Sequence, residues 1–98
     1  MVRIEYQIDP ARKDDFLTAM KDLFVSRKRT GAYRWRLTND LSSPDRYIES
    51  FVLPSWIEHM RQYERITEHE KEIEEKANAF HIGKNPPEIR RFLSNRIK

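Results

Sequence analysis

The sequence holds no cysteine and only two glycines, and no apolar run approaches the roughly 18 residues of a membrane-spanning helix. Without cysteine there is no disulfide framework, no thiol nucleophile and no thiolate metal site. With so little glycine there is no phosphate-cradling loop and no paired-glycine dinucleotide fingerprint, and no Ser/His/Asp order opens hydrolase chemistry. The opening residues Met1-Val2-Arg3-Ile4-Glu5 lack the apolar stretch of a signal peptide. The expectation is a soluble, untargeted, cytoplasmic protein that does not insert into a membrane. An excess of one charge is missing too: 19 Lys and Arg stand against 16 Asp and Glu, a net +3, and the signs are interleaved. No basic stripe addresses a polyanion, so nucleic acid is not an expected partner.

What is present is a chain of 98 residues, 38% hydrophobic and 36% charged, against roughly 25% charged in ordinary globular proteins. That length predicts one domain over residues 1–98. Val2, Ile4, Tyr6 and Ile8 alternate with Arg3, Glu5 and Gln7, the period of a half-buried strand. Asp9-Pro10 reads as an N-cap followed by proline in the first turn. Phe16, Met20, Leu23, Phe24 and Arg27 then recur at helical spacing as far as about Thr30, where Gly31 supplies a left-handed stop. Arg27, Lys28 and Arg29 sit in the last turn, where the helix dipole favours cations, and this is set against a binding patch as their explanation. Tyr33, Trp35 and Leu37 alternate with Arg34, Arg36 and Thr38. Beyond turn residues 39–45, Tyr47, Glu49, Phe51 and Leu53 alternate with Ile48, Ser50 and Val52, which makes a β-hairpin.

Ser55 and Glu58 form a capping box that opens a short helix, and Thr67 and Glu70 repeat it, with Ile73, Ala77 and Phe80 as a thin apolar stripe on a charged helix. Gly83 to Pro87 break the chain, and Ile89 to Leu93 read as a last strand. The order strand, helix, strand, strand, helix pair, strand is the α+β ferredoxin-like βαββαβ pattern: a four-stranded antiparallel sheet with helices on one face. Both sides of the hairpin carry large residues, so the uncovered face would be an apolar patch. A homodimer packed sheet on sheet is expected.

Three histidines, His59, His69 and His81, are the candidates for acid/base or ligand chemistry, yet none falls in an HxxxH or HExxH spacing. His69 lies in a first helical turn and reads as solvated. Trp56, His59, Met60 and Tyr63 share one helix face, which leaves His59 open between a pocket role and a hydrogen-bonded core role. Glu49 is in phase with Tyr47 and Phe51. A buried carboxylate there is either paired with an arginine or raised in pKa and available as a base, and Arg34 and Arg36 point to the opposite side unless a bulge resets the register. Trp35 and Trp56 read as core. Asp9, Asp14 and Asp15 belong to a helix start, and no metal site is expected.

The runs Gly31-Ala32-Tyr33-Arg34-Trp35-Arg36-Leu37, Asp40 to Tyr47, Ile48-Glu49-Ser50-Phe51 and Ser55-Trp56-Ile57-Glu58-His59-Met60 resemble the antibiotic biosynthesis monooxygenase-like domains, which are dimeric α+β barrels. The resemblance spans Val2 to about Leu93. Through Glu5 to Ala11 and Phe80-His81 before Gly83 and Pro86-Pro87, it is nearest the C-terminal soluble domain of some major facilitator transporters of the secretion-effector type, so the chain would be a stand-alone member or an excised domain. The resemblance implies a homodimer with a small pocket between sheet and helices, and it matches Glu49 and His59 to recurrent pocket positions. Oxygenase relatives act on aromatic or quinol substrates without metal or flavin. Haem-degrading relatives use a first-strand asparagine, a helix tryptophan and a helix histidine. Here His59 stands at the tryptophan position, His69 at the ligand position, and the first strand has no asparagine, so no haem is expected.

The reading is a small homodimeric domain with an apolar pocket lined by Trp35, Glu49, Phe51, Trp56, His59 and Tyr63. That pocket would bind, or oxidise without a cofactor, a small aromatic or quinone-like metabolite. His59 would accept the proton, and Glu49 would orient it or anchor the pocket. The alternative is a non-catalytic dimerisation or regulatory domain related to the transporter-associated ones.

Overall fold

The computed structural model describes residues 1–54, 57, 61, 67–93 and 95. Strand β1 (Val2–Gln7) leads into a single 3-10 turn (Pro10–Arg12) and helix α1 (Lys13–Arg29). Strands β2 (Tyr33–Asp40) and β3 (Ser43–Val52) form the hairpin, and helix α2 (Glu68–Asn78) and strand β4 (Glu88–Arg91) complete the described elements. The sheet order is β2-β3-β1-β4 and every pairing is antiparallel. This is the ferredoxin-like α+β arrangement, in which β3 separates β1 from β2.

The caps behave as their chemistry requires. The Asp9 side chain accepts from the Ala11 N–H at 3.0 Å with Pro10 behind it. Thr67 accepts from the Glu70 N–H at 3.2 Å, satisfying an otherwise orphaned donor of α2. Gly31 ends α1 at φ +100°, a conformation that a Cβ penalises. The capping box at Ser55 and Glu58 lies outside the described residues.

One face of the sheet carries Val2, Ile4, Tyr6, Tyr47 and Phe51, all buried, against Phe16, Met20 and Leu23 of α1 and Ala77 of α2. Phe16 is the hub, its ring 5.4 Å from Tyr6 and 5.2 Å from Tyr47. The opposite face presents half-exposed Ile48, Ser50 and Val52 of β3 beside Arg3 and Glu5 of β1.

Four local expectations change. The hairpin loop is shorter than residues 39–45, because Asp40 already pairs with Ser43 across a turn at Leu41 and Ser42. The register shifts between Tyr33 and Arg36, with Arg34 at φ +52°. This bulge pairs Tyr33 with Val52 on the open face, whereas Leu37 pairs with Glu49 on the helix side, so Tyr33 loses its phase with Trp35 and Leu37. The last strand is Glu88–Arg91, and Leu93 lies beyond it, 87% exposed. Arg27 turns inward, away from a solvent-facing dipole role, as described next.

Candidate functional site

Glu49 stands in the middle of β3, opposite Ile4 on one side and Leu37 on the other, and its side chain is 0% exposed. A carboxylate in that position needs donors. Its Oε1 accepts from the Tyr6 hydroxyl at 2.9 Å and, at 3.5 Å, from Arg27 Nη2. Its Oε2 accepts from Trp35 Nε1 at 2.8 Å and from Arg27 Nε at 3.1 Å. Strands β1 and β2 and helix α1 therefore each contribute one donor residue to a carboxylate on β3.

Each donor is placed by a local feature of the chain. Tyr6 keeps the phase of Ile4 along β1, so its ring is in the core and its hydroxyl reaches across to the neighbouring strand. Arg27 lies four residues after Leu23 on the stripe Phe16, Met20, Leu23, which directs its stem inward. Its side chain is 15% exposed, its guanidinium sits 5.1 Å over the Phe51 ring, and Nη1 is 3.8 Å from Glu74 on α2. Trp35 shares the phase of Leu37 along β2, on the side of Glu49, and the Phe24 ring, 4.9 Å away, packs against its indole.

The charges respond to this enclosure. Burial, reinforced by the adjacent Glu49 charge, drives the Tyr6 hydroxyl well above its ordinary pKa, so it remains a donor. For Arg27, burial works against the charge, but Glu49 by charge and hydrogen bond, with Glu74 behind it, more than compensates and the pKa rises. The arrangement is a neutralised, hydrogen-bonded polar cluster ringed by aromatic groups, able to hold neighbouring side chains in fixed orientations.

The structure thus brings together Trp35, Glu49 and Phe51 from the sequence-derived pocket. Trp56, His59 and Tyr63 lie outside the described residues. The arginine partner of Glu49 is neither Arg34 nor Arg36: Arg36 pairs with Ser50 and stays on the open side. Tyr6 and Arg27 were not among the expected site residues. The signal for both was periodicity, Tyr6 in the strand phase and Arg27 on the helical stripe. His69 is exposed on α2 and lines a groove of about 610 Å³ between α1 and α2. His81 bridges Ile8 and accepts at Nδ1 from the Gln7 N–H at 2.9 Å. Among the described residues no cluster of His, Asp or Glu could hold a metal ion.

The chain shares its fold with solved structures described as antibiotic biosynthesis monooxygenases. It superposes on such a protein from Bordetella bronchiseptica with a TM-score of 0.76 at 16% identity, covering 97% of this chain and 95% of that chain. A second such protein, from Caulobacter crescentus CB15, gives 0.73 at 19% identity over 91% and 82%. A conserved protein of Methanosarcina mazei Go1 gives 0.74 at 17% identity over 91% and 85%. At these identities the likeness is one of fold. No curated protein matches the sequence. The family model described as transmembrane secretion effector matches residues 1–98, and the chain belongs to that family. Among the described residues no helix is long and apolar enough to cross a membrane.

Proposed function

We propose that residues 1–98 act as one cytoplasmic, homodimeric small-molecule-binding domain. The ligand is a small aromatic or quinone-like metabolite. Trp35, Glu49, Phe51, Trp56, His59 and Tyr63 line its pocket. The observation that carries this reading is the fully buried Glu49 with its tyrosine, arginine and tryptophan donors. A core alone does not require such a cluster, since well-packed apolar residues in place of a buried ion pair are commonly as stable or more so.

Glu49 already accepts four hydrogen bonds, which suits an anchor that fixes the Trp35 indole and the Arg27 guanidinium. Proton transfer then falls to His59. In the enzymatic form, His59 takes a proton from a bound hydroquinone-type substrate, and the substrate's own electrons reduce dioxygen without a cofactor. The alternative, a non-catalytic dimerisation or regulatory domain, draws support from the same saturation of Glu49 and from the transport-related family.

Oxygen uptake with a panel of hydroquinones, together with quenching of tryptophan fluorescence by the corresponding quinones, separates the two. The enzymatic reading expects saturable quenching, uptake abolished in His59→Ala with binding retained, and binding weakened in Glu49→Gln. Uptake unchanged in both variants, with the dimer intact, removes the enzymatic reading. Absence of quenching in the unmodified protein removes the pocket as well.

A further inference from the structure

A second site lies away from the Glu49 cluster and is independent of the reading above. Beyond the start of β4 at Glu88, the edge of β1 is covered by the chain at His81 and Ile82: the Ile82 N–H donates to the Gln7 carbonyl at 2.8 Å, and the Gln7 N–H donates to His81 Nδ1 at 2.9 Å. Because Nδ1 is an acceptor, the neutral ring carries its proton on Nε2, which has no protein partner among the described residues. Gly83 lies directly against that nitrogen. A Cβ there would stand 2.5 Å from Nε2, so only glycine leaves the ring in place.

The ring borders an open cavity of about 390 Å³ at this end of the sheet. The carboxylates in its wall are already engaged. Glu5 holds Arg46, Asp45 accepts from the Gln7 side chain at 3.1 Å, and Glu88 accepts from Arg90 at 2.8 Å. The polar wall side chains with no protein partner among the described residues, Ser43 at its hydroxyl, His81 at Nε2, Lys84 at Nζ and Asn85 at its amide, are all able to donate. We infer that this cleft binds an oxyanion, the carboxylate or phosphate of a small organic molecule, with His81 Nε2–H and Lys84 as its donors.

The test is an NMR titration of the full chain, 15N-labelled, with benzoate, inorganic phosphate and the uncharged analogue benzamide, at fixed ionic strength. Saturable shifts of the Gln7, Ile82, Gly83 and Lys84 amides are expected with the anions and not with benzamide. Comparison of benzoate with phosphate shows which oxyanion the cleft prefers. Lys84→Ala and His81→Asn each weaken binding at least fivefold; asparagine retains a side-chain oxygen for the Gln7 N–H and removes the Nε2 donor. The inference is overturned by shifts that do not saturate, by benzamide binding as well as benzoate, or by unchanged affinity in the Lys84→Ala variant, whose exposed position leaves the fold intact.

Discussion

At the scale of single residues, the side chain on which most else depends is Glu49. Replacing it with glutamine leaves the enclosed Arg27 with the half-exposed Glu74, at 3.8 Å, as its one remaining charge partner among the described residues. Uncompensated buried charges cost about 3–5 kcal/mol, and the partial compensation puts Glu49→Gln near the lower end, about 3 kcal/mol by urea denaturation. Tyr6→Phe removes one buried hydrogen bond and costs about 1–2 kcal/mol. Because both changes touch the same cluster, the double variant loses less than the two losses added. Tyr6 also sets an alkaline signature. Its folded-state pKa is raised above the ordinary 10.0, so above pH 10 the unfolded chain releases this proton while the native state keeps it. The unfolded state then binds fewer protons, and stability falls as pH rises. Urea midpoints measured from pH 8 upward should be level with respect to this group up to about pH 10 and decline beyond it, and Tyr6→Phe should remove that component of the decline.

At the scale of elements, the helix ends and the β2 bulge are separable from the core. Nothing lies within 4 Å of a Cβ built on Gly31, so Gly31→Ala costs only the left-handed backbone penalty, about 1–2 kcal/mol. Thr67→Ala removes the α2 cap and costs about 1 kcal/mol. With a stability change of 1 kcal/mol moving the midpoint of a domain this size by about 4–8 °C, thermal unfolding resolves both. Arg34, at φ +52°, pays the same left-handed penalty as a non-glycine residue, so Arg34→Gly should be neutral or stabilising by up to about 1 kcal/mol. It should also leave the Trp35 indole N–H on Glu49, read from the slow exchange of that proton. The hairpin was legible from alternation, and the caps at Asp9 and Thr67 from residue type, because both are local chemistry. The bulge was not. Tyr33, Trp35 and Leu37 sit at a perfect period of two in the sequence, and only the pairing partner on β3 reveals that one residue is inserted.

At the scale of the whole molecule, the helices cover one face of the sheet, while Ile48 and Val52 remain half-exposed on the other with Tyr33 beside Val52. The proposed homodimer uses this face. Ile48→Lys or Val52→Lys should therefore yield a monomer by sedimentation at micromolar concentration with the circular dichroism spectrum of the folded chain, whereas a dimer that survives both changes must assemble elsewhere. The sequence by itself determined the order of the elements and the in-phase placement of Glu49 with Tyr47 and Phe51. Hydrophobic period, turn residues and capping side chains act over a few neighbouring positions and so can be read along the chain. The tertiary structure alone decided which cation neutralises Glu49 and that Tyr6 and Trp35 share it. It alone decided that His81 closes the edge of β1. Those choices join residues 14 to 74 positions apart, and they depend on how strands pair and how α1 lies across the sheet rather than on any spacing in the chain.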